Sequence, residues 1–422
     1  MAKKLFLSIL GTGRYMPCRY RKDGIVLTET KFIQQALVEY LQKGEQWSKD
    51  DKVVVYLTQR AKDTHWVSTE QDQGLESILS GMGVSYDSKD IPDGKSSEEM
   101  WAIFEAIYAQ LEEGDELYID ITHSFRYLPM LLIVLVNYAK LLKNVSVAGI
   151  YYGNWEAKDD NGIAPIMDLL PLSVLQDWTI AASDFQQYGQ VKRLSQLADK
   201  SIRNILRDEE HRTKDNITLR HFVSTLQKIV DDRLTCRGKE IIKGSDAEVL
   251  RTDVEKIETV AIAQFKPIFE QIKNTMSTFG TRNEISNCLK AAKWCLDNHL
   301  YQQCITLLKE GVVTILCDKL ELDYQKQHDR ELVSHCVIIK TPTTATDKIK
   351  EEKPSDEERT KLENLLENPL WDDTELINTI NDLGNIRNDY NHAGFRDNPA
   401  SAKTMMKRVE EDFWKICEKF DS

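Results

Sequence analysis

The sequence predicts two domains of different class: an α/β domain with a largely parallel sheet over residues 1–180, then an all-α helical region over residues 181–422. Three observations lead there. Up to about residue 175, short apolar runs alternate with helix-periodic stretches, the pattern of strand–helix–strand units. Beyond residue 183 apolar residues recur at intervals of three and four, and strand signals fade. The length of 422 residues agrees, at about 100–200 residues per domain.

Residues 5–10 read as a buried strand, and residues 29–42 as a helix carrying Phe32, Ala36, Leu37, Tyr40 and Leu41 on one face. Residues 52–58, rich in Val and bounded by charge, form a second strand. Residues 69–82 and 96–111 are expected helices. The latter opens at Ser96 or Ser97, with Glu98 and Glu99 in the first turn, where carboxylates complement the helix dipole. A strand at 116–122, a helix at 128–142 and a strand at 145–152 complete the alternation. Helices should cover both faces of such a sheet, and ligands should sit at the carboxyl ends of its strands. The helical region reads as stretches at 185–206, 219–234, 246–276, 282–299, 300–320, 374–392 and 401–420. Residues 341–359 have almost no large apolar side chain and read as a mobile loop.

Charge narrows the function. The 55 Lys+Arg against 68 Asp+Glu give −13 overall, and division at residue 180 leaves −8 and −5. Neither part is a basic platform for non-specific binding of nucleic acid or anionic membrane. A few placed cations must do any nucleic-acid binding. The eight cysteines form no C-x-x-C pair, and buried free thiols suit a reducing cytoplasm. The apolar run at 5–10 is too short for a signal-peptide core, and the one at 130–136 is far below the ~20 residues needed to span a bilayer. No membrane segment is expected, and no His or Cys spacing suggests a metal site.

Three constellations can carry chemistry. Gly11-Thr12-Gly13-Arg14 follows the first strand, where glycines permit a sharp turn with N–H groups turned to an anion, and Thr12 and Arg14 add donors. With Met16 in place of a third glycine it is not a dinucleotide fingerprint, and a simple strand-to-loop turn is the plainer alternative. Thr122-His123-Ser124 and Arg126 stand at the end of the 116–122 strand, with Thr58-Gln59-Arg60 at the same edge. Ser124 also suits a helix cap, so a capped junction with a satisfied histidine is the competing reading. Convergence of three polar clusters on one edge favours a binding site. The third is Arg387-Asn388-Asp389-Tyr390-Asn391-His392, near the end of a helix closed by Gly394. At ~100° per residue Arg387 and His392 lie about 140° apart, whereas Asn388 and His392 share a stripe, so Asn388 can orient the ring. A surface pair at a helix end is the alternative.

Taken in this order, the three motifs resemble the CRISPR-associated two-domain ribonucleases of type III systems, with an N-terminal CARF (CRISPR-associated Rossmann fold) domain and a C-terminal HEPN domain. Asp120, Thr122 and His123 match the D-x-T-H-G motif of one branch, with Ser124 in place of its glycine. Arg387 and His392 meet the R-x-x-x-x-H signature, with Asn388 following the arginine. The stretch 163–169 and the Gly-Thr-Gly loop are also similar to this branch. The resemblance implies a Rossmann-like α/β domain in which Gly11, Thr12, Gly13, Arg14, Thr58, Gln59, Thr122, His123, Ser124 and Arg126 bind cyclic tetra- or hexa-adenylate as an allosteric activator. It implies a homodimer or higher oligomer that cleaves single-stranded RNA without metal or other cofactor, with Arg387, Asn388 and His392 catalytic. Two Arg–His sets meeting across a twofold axis would then overcome the separation on one helix. Ser124 narrows the ligand approach or adds a hydroxyl. A ring nuclease that degrades the cyclic oligoadenylate, and a non-enzymatic ligand sensor, are the alternative functions.

Overall fold

The computed structural model describes all residues except 1–2, 45–46, 124–126, 206–213, 258–265, 277–281, 342–355, 396 and 421–422. The chain divides into two units, Met1–Gln176 and Asp177–Ser422.

The first unit is built on one eight-stranded sheet. Its strands are β1 (Lys4–Leu10), β2 (Arg19–Lys22), β3 (Ile25–Val26), β4 (Lys52–Leu57), β5 (Ser85–Asp90), β6 (Glu116–Asp120), β7 (Ser146–Gly153) and β8 (Ile163–Asp168), in the order β3-β2-β8-β7-β6-β1-β4-β5. The five from β7 to β5 are parallel, with Leu7 opposite Val54 on one side and Ile119 on the other. β8 turns antiparallel to β7, and β3 antiparallel to β2. The sheet is therefore largely parallel, as the sequence pattern predicted, and mixed at one end.

Strand alternation sends successive side chains to opposite faces. Phe6, Leu10, Val53, Val55, Leu57 and Tyr118 face α1 (Ile33–Gly44) and α3 (Leu75–Gly81). Leu5, Leu7, Ile9, Val54, Tyr56, Leu117 and Ile119 face α4 (Ser97–Tyr108) and α5 (Leu128–Lys143). Between α1 and α3, a short helix α2 (Gln59–Ala61) leads into a wide turn closed by the Val67 N–H to the Lys62 carbonyl. Ser96 caps α4 by accepting from the Glu99 N–H.

Two expected helices are shorter than predicted. Residues 29–32 do not join α1, because Thr30 is bridged to Cys18 and its hydroxyl accepts from the Phe32 N–H at 2.9 Å. Only Leu75–Gly81 of the 69–82 stretch is helical. Thr69 and Asp72 instead close a local turn, with the Asp72 N–H donating to Thr69 Oγ1 at 3.1 Å. The strand expected to 122 ends at Asp120, while β2, β3, β5 and β8 are additions.

In the second unit, α6 (Leu170–Tyr188), which starts in the first, ends before Gly189 at φ +65°, and α7 (Lys192–Ile205) begins anew, so the stretch 185–206 is two helices. There follow α8 (Lys214–Leu234), α9 (Gly238–Lys243), α10 (Ser245–Ile257), α11 (Lys266–Met276), α12 (Asn287–Asp297), α13 (Tyr301–Lys319), α14 (Gln327–Lys340), α15 (Asp356–Leu366), α16 (Thr374–Asn391) and α17 (Ala402–Phe420). The stretch 246–276 contains α10 and α11, and 282–299 shortens to α12. Most of the expected 341–359 loop lies outside the described residues, while its end belongs to α15. α13 is the axis of this unit: Cys304, Ile305, Leu308, Val312, Leu316 and Cys317 are buried around it against α12, α14, α16 and α17. All eight cysteines are free and all but Cys236 are buried. No helix among the described residues is long and apolar enough to cross a membrane.

Leu7, 2% exposed on the central strand, tests the core. Leu7→Ala should lower unfolding stability by about 2–5 kcal/mol, read as a lower urea midpoint.

Candidate functional site

The carboxyl ends of β1, β4 and β6 meet, and the site there starts from a buried carboxylate. Asp120, 1% exposed at the end of β6, accepts from Ser8 Oγ of β1 at 2.7 Å and from the backbone N–H and hydroxyl of Thr122 at 2.9 and 2.6 Å. Thr122 Oγ1 in turn accepts from the Gly153 N–H of β7 at 2.9 Å, and Gln34 of α1 donates to Ser8 Oγ at 3.0 Å. This network turns the chain sharply after β6 and sets His123 beside the loop that leaves β1.

There Tyr15 is held between two imidazoles. Its ring stacks on His65 and on His123, each with a centroid separation of 4.2 Å, while Phe32 meets it edge-on at 5.9 Å. His65 comes from the wide turn after β4, and its Nε2 is 2.7 Å from the Gly13 carbonyl, fixing the Gly-Thr-Gly loop. A side chain at Gly11 would bring a Cβ within 2.9 Å of Tyr15 Oη and 3.2 Å of His123 Cβ, so glycine is required there by close approach. Burial raises the Tyr15 phenol well above its ordinary value. It also lowers the His123 imidazole, an effect that nearby Asp120 opposes and His65 reinforces.

The expected ligand residues thus divide by task. Gly11, Thr12, Gly13 and Arg14 form the loop at the strand edge, with Thr12, Gly13 and Arg14 exposed. Arg14 enters no ion pair among the described residues. Gln59 is exposed and donates to Asp63, whereas Thr58 is buried and caps α2 by accepting from the Ala61 N–H. Thr122 spends its hydroxyl on Asp120 and Gly153. Ser124 and Arg126 lie outside the described residues, as does the helix-cap role expected of Ser124; Tyr127 occupies the N-cap of α5. Sequence reasoning missed His65, whose only signal was its place shortly after a strand end.

In the second unit, Arg387 projects from α16 toward α13. Its Nη1 donates to Glu310 Oε1 at 2.7 Å, while its Nε is buried without a partner. Glu310 Oε2 accepts from Arg330 Nη2 of α14 at 2.7 Å. Burial acts to raise the Glu310 carboxyl, but the hydrogen bond and charge of Arg330, with Arg387 and Lys309, outweigh it and hold the group below its ordinary range. His392 is the C-cap of α16, one residue beyond the helix, and is exposed. Ala393 and Gly394 follow with φ of +50° and +73°, and the Gly394 N–H closes on the Asp389 carbonyl at 3.1 Å. Asn388 is exposed too, and the bond joining it to His392 is between backbones, from the His392 N–H to the Asn388 carbonyl at 2.9 Å. The structure does not bring Arg387 and His392 into a side-chain contact, and the Asn388 side chain does not orient the ring. Among the described residues no group of three or more His, Cys, Asp or Glu is placed to hold a metal ion.

Residues 5–156 match the family model described as the CARF domain of the CRISPR system endoribonuclease Csx1, a match confined to the α/β unit. The chain is also 26% identical over 242 residues to the CRISPR-associated protein MJ1674 of Methanocaldococcus jannaschii, covering 56% of this chain and 34% of that protein. The chain thus spans about a third of the length of that curated relative. The α/β unit is a CARF domain, and the chain is a CRISPR-associated CARF-domain protein.

The lowered His123 pKa has a signed consequence. Below the ordinary value of 6.5 the unfolded chain binds a proton that the folded site resists, so stability falls as pH drops through this window. Urea midpoints measured from pH 7 to 5 should fall less steeply for His123→Phe, which keeps the stack and removes the titration. Equal slopes would contradict the assignment.

Proposed function

We propose that this chain is an endoribonuclease of type III CRISPR defence, in which the CARF domain binds a cyclic oligoadenylate and the helical unit cleaves single-stranded RNA as a homodimer or higher oligomer. One observation carries the reading. On a single helix, Arg387 is anchored through one nitrogen and keeps further donors, and His392 stands exposed at the helix end. The match to a CARF domain described as part of an endoribonuclease supports it.

RNA carries its own nucleophile, so the protein has to position the 2′-OH, move protons and offset charge on phosphorus. His392 takes the 2′-OH proton as general base. The 2′-oxygen forms a bond to phosphorus while the bond to the 5′-oxygen breaks, and that oxygen takes up a proton from an acid at the site. The products are a 2′,3′-cyclic phosphate and a 5′-hydroxyl. Imidazole as a chemical group can both accept and donate a proton near neutral pH. Arg387 binds the scissile phosphate, for which a planar guanidinium offers paired donors. At the other site, the exposed Gly-Thr-Gly-Arg loop gives backbone N–H groups and one free cation to the phosphates of a cyclic oligoadenylate, with ring size tetra or hexa. No step requires a metal ion.

Labelled single-stranded RNA should be cut in EDTA when cyclic tetra- or hexa-adenylate is added, and His392→Ala should slow the cut by about 10²–10⁴-fold. Absence of cleavage with both rings, or undiminished cleavage by folded His392→Ala, would sink the reading. Linear oligoadenylate formed without RNA cleavage would point to a ring nuclease.

A further inference from the structure

Beside Arg387 lies a cation that the motif reading did not include. Lys309, the residue before Glu310 on α13, is partly buried, and among the described residues it makes no ion pair. It lies against Gly384 of α16: a Cβ there would be 3.7 Å from Lys309 Nζ and 3.9 Å from Cε, ordinary contact distances. At ~100° per residue, position 384 stands about 60° around the helix from Arg387 and about 80° from His392, on the arc between them. Along the axis, at ~1.5 Å per residue, position 384 precedes Arg387 by about 4.5 Å and His392 by about 12 Å, so the ammonium sits next to the arginine and farther from the histidine.

The neighbouring charges show which cation is available. Arg330 is committed to the protein: its Nη1 donates to Thr314 Oγ1 at 2.8 Å and the Tyr324 carbonyl at 3.3 Å, its Nη2 to the Glu310 carbonyl at 3.0 Å and carboxylate at 2.7 Å. Among the described residues, Glu310 is the carboxylate that pairs with both Arg330 and Arg387, with Lys309 nearby. Three cations against one anion leave a local positive surplus within a unit of net negative charge. Burial and the Arg387 charge both weaken the protonated form of Lys309, with Glu310 opposing them. A partly buried ammonium beside a like charge is a place where an incoming anion is favoured. The unpartnered, buried Nε of Arg387 lies in the same cluster.

We propose that Lys309 is a substrate-binding residue that, with Arg387, holds a phosphodiester group of the RNA, while Glu310, braced by Arg330, positions the arginine. This rests on the ribonuclease reading above and supplies it with a second phosphate contact beside Arg387, about one helical turn before it on α16.

The test uses His392→Ala, which should bind RNA without cutting it, in the presence of cyclic tetra- or hexa-adenylate. Affinity for single-stranded RNA is measured across a salt series. Removing one phosphate contact should lower the slope of log K against log salt by about 0.7. Adding Lys309→Gln should produce that loss and weaken binding several-fold, and Lys309→Arg should restore both. Gly384→Glu leaves the lysine in place and sets a competing carboxylate beside it, and should reproduce the loss if Lys309→Gln fails to fold. Unchanged slopes in Lys309→Gln and Gly384→Glu, alongside RNA cleavage by wild type in the same ligand, would overturn this proposal alone. Absence of cleavage by wild type would remove the ribonuclease reading and this proposal together.

Discussion

The geometry of the CARF site hangs on how the carboxyl of Asp120 is satisfied inside the sheet. A buried carboxylate without hydrogen bonds is costly, and the free energy recovered from donors to a charged group is about 1.5–3 kcal/mol each. Here the donors come from Ser8 on β1 and Thr122 after β6, and Thr122 passes the connection on to the Gly153 N–H of β7. Three adjacent parallel strands are thereby locked in depth relative to one another at their carboxyl ends. Gln34 extends the lock to α1 through Ser8 Oγ. A shift of any one strand would strand a polar group in a dry interior.

That constraint explains the division of labour within Asp-Ile-Thr-His. Asp120 and Thr122 are architectural, their polar atoms turned inward and occupied. His123 inherits its position from them and contributes its ring to the stack on Tyr15. The stack reaches across to His65 on the β4 turn, whose Nε2 lies against the Gly13 carbonyl, so the β1 loop is set from both sides. Gly11 allows the approach because it has no side chain to hold the phenol away. The glycines of this loop therefore differ: Gly11 serves packing, and Gly13 is exposed.

The centre of the fold was legible because its chemistry is simple. Val53-Val54-Val55 sits between neighbours on both sides and faces helices on both surfaces, so the strand is apolar throughout and stands out. Strands away from the centre had no such signal. β5 reads Ser-Tyr-Asp-Ser-Lys-Asp, pairs only with β4, and keeps its polar side chains in partial contact with solvent. β8, paired with β2 on one side and β7 on the other, contains Pro165, which hides the strand from a reading of the sequence; its carbonyl accepts from the Asn154 N–H at 2.9 Å. Among helices, the errors came where Thr30 and Thr69 hydrogen-bond locally and win against the backbone ladder, an outcome that apolar spacing does not register. The site was legible as strand ends and motif letters. The His65–Tyr15–His123 stack was not, since it joins residues brought together only by the order of β4, β1 and β6.

In the helical unit the same limit appears in electrostatic form. Helical spacing places Arg387 and His392 apart and is silent on what Arg387 meets. What it meets is Glu310, on a helix whose buried residues pack against neighbours that include α12, α14, α16 and α17. Arg330 and Arg387 meet this half-buried carboxylate from α14 and α16. Coulomb attraction over a few ångströms is worth several times more in this partly buried setting than in water, which is how an acidic chain can maintain a confined cationic spot. The net charge of −13 therefore describes the surface seen from a distance, beyond about one Debye length. At contact range the helical unit carries the Arg387 guanidinium, whose Nε has no partner, and an exposed imidazole at the end of α16.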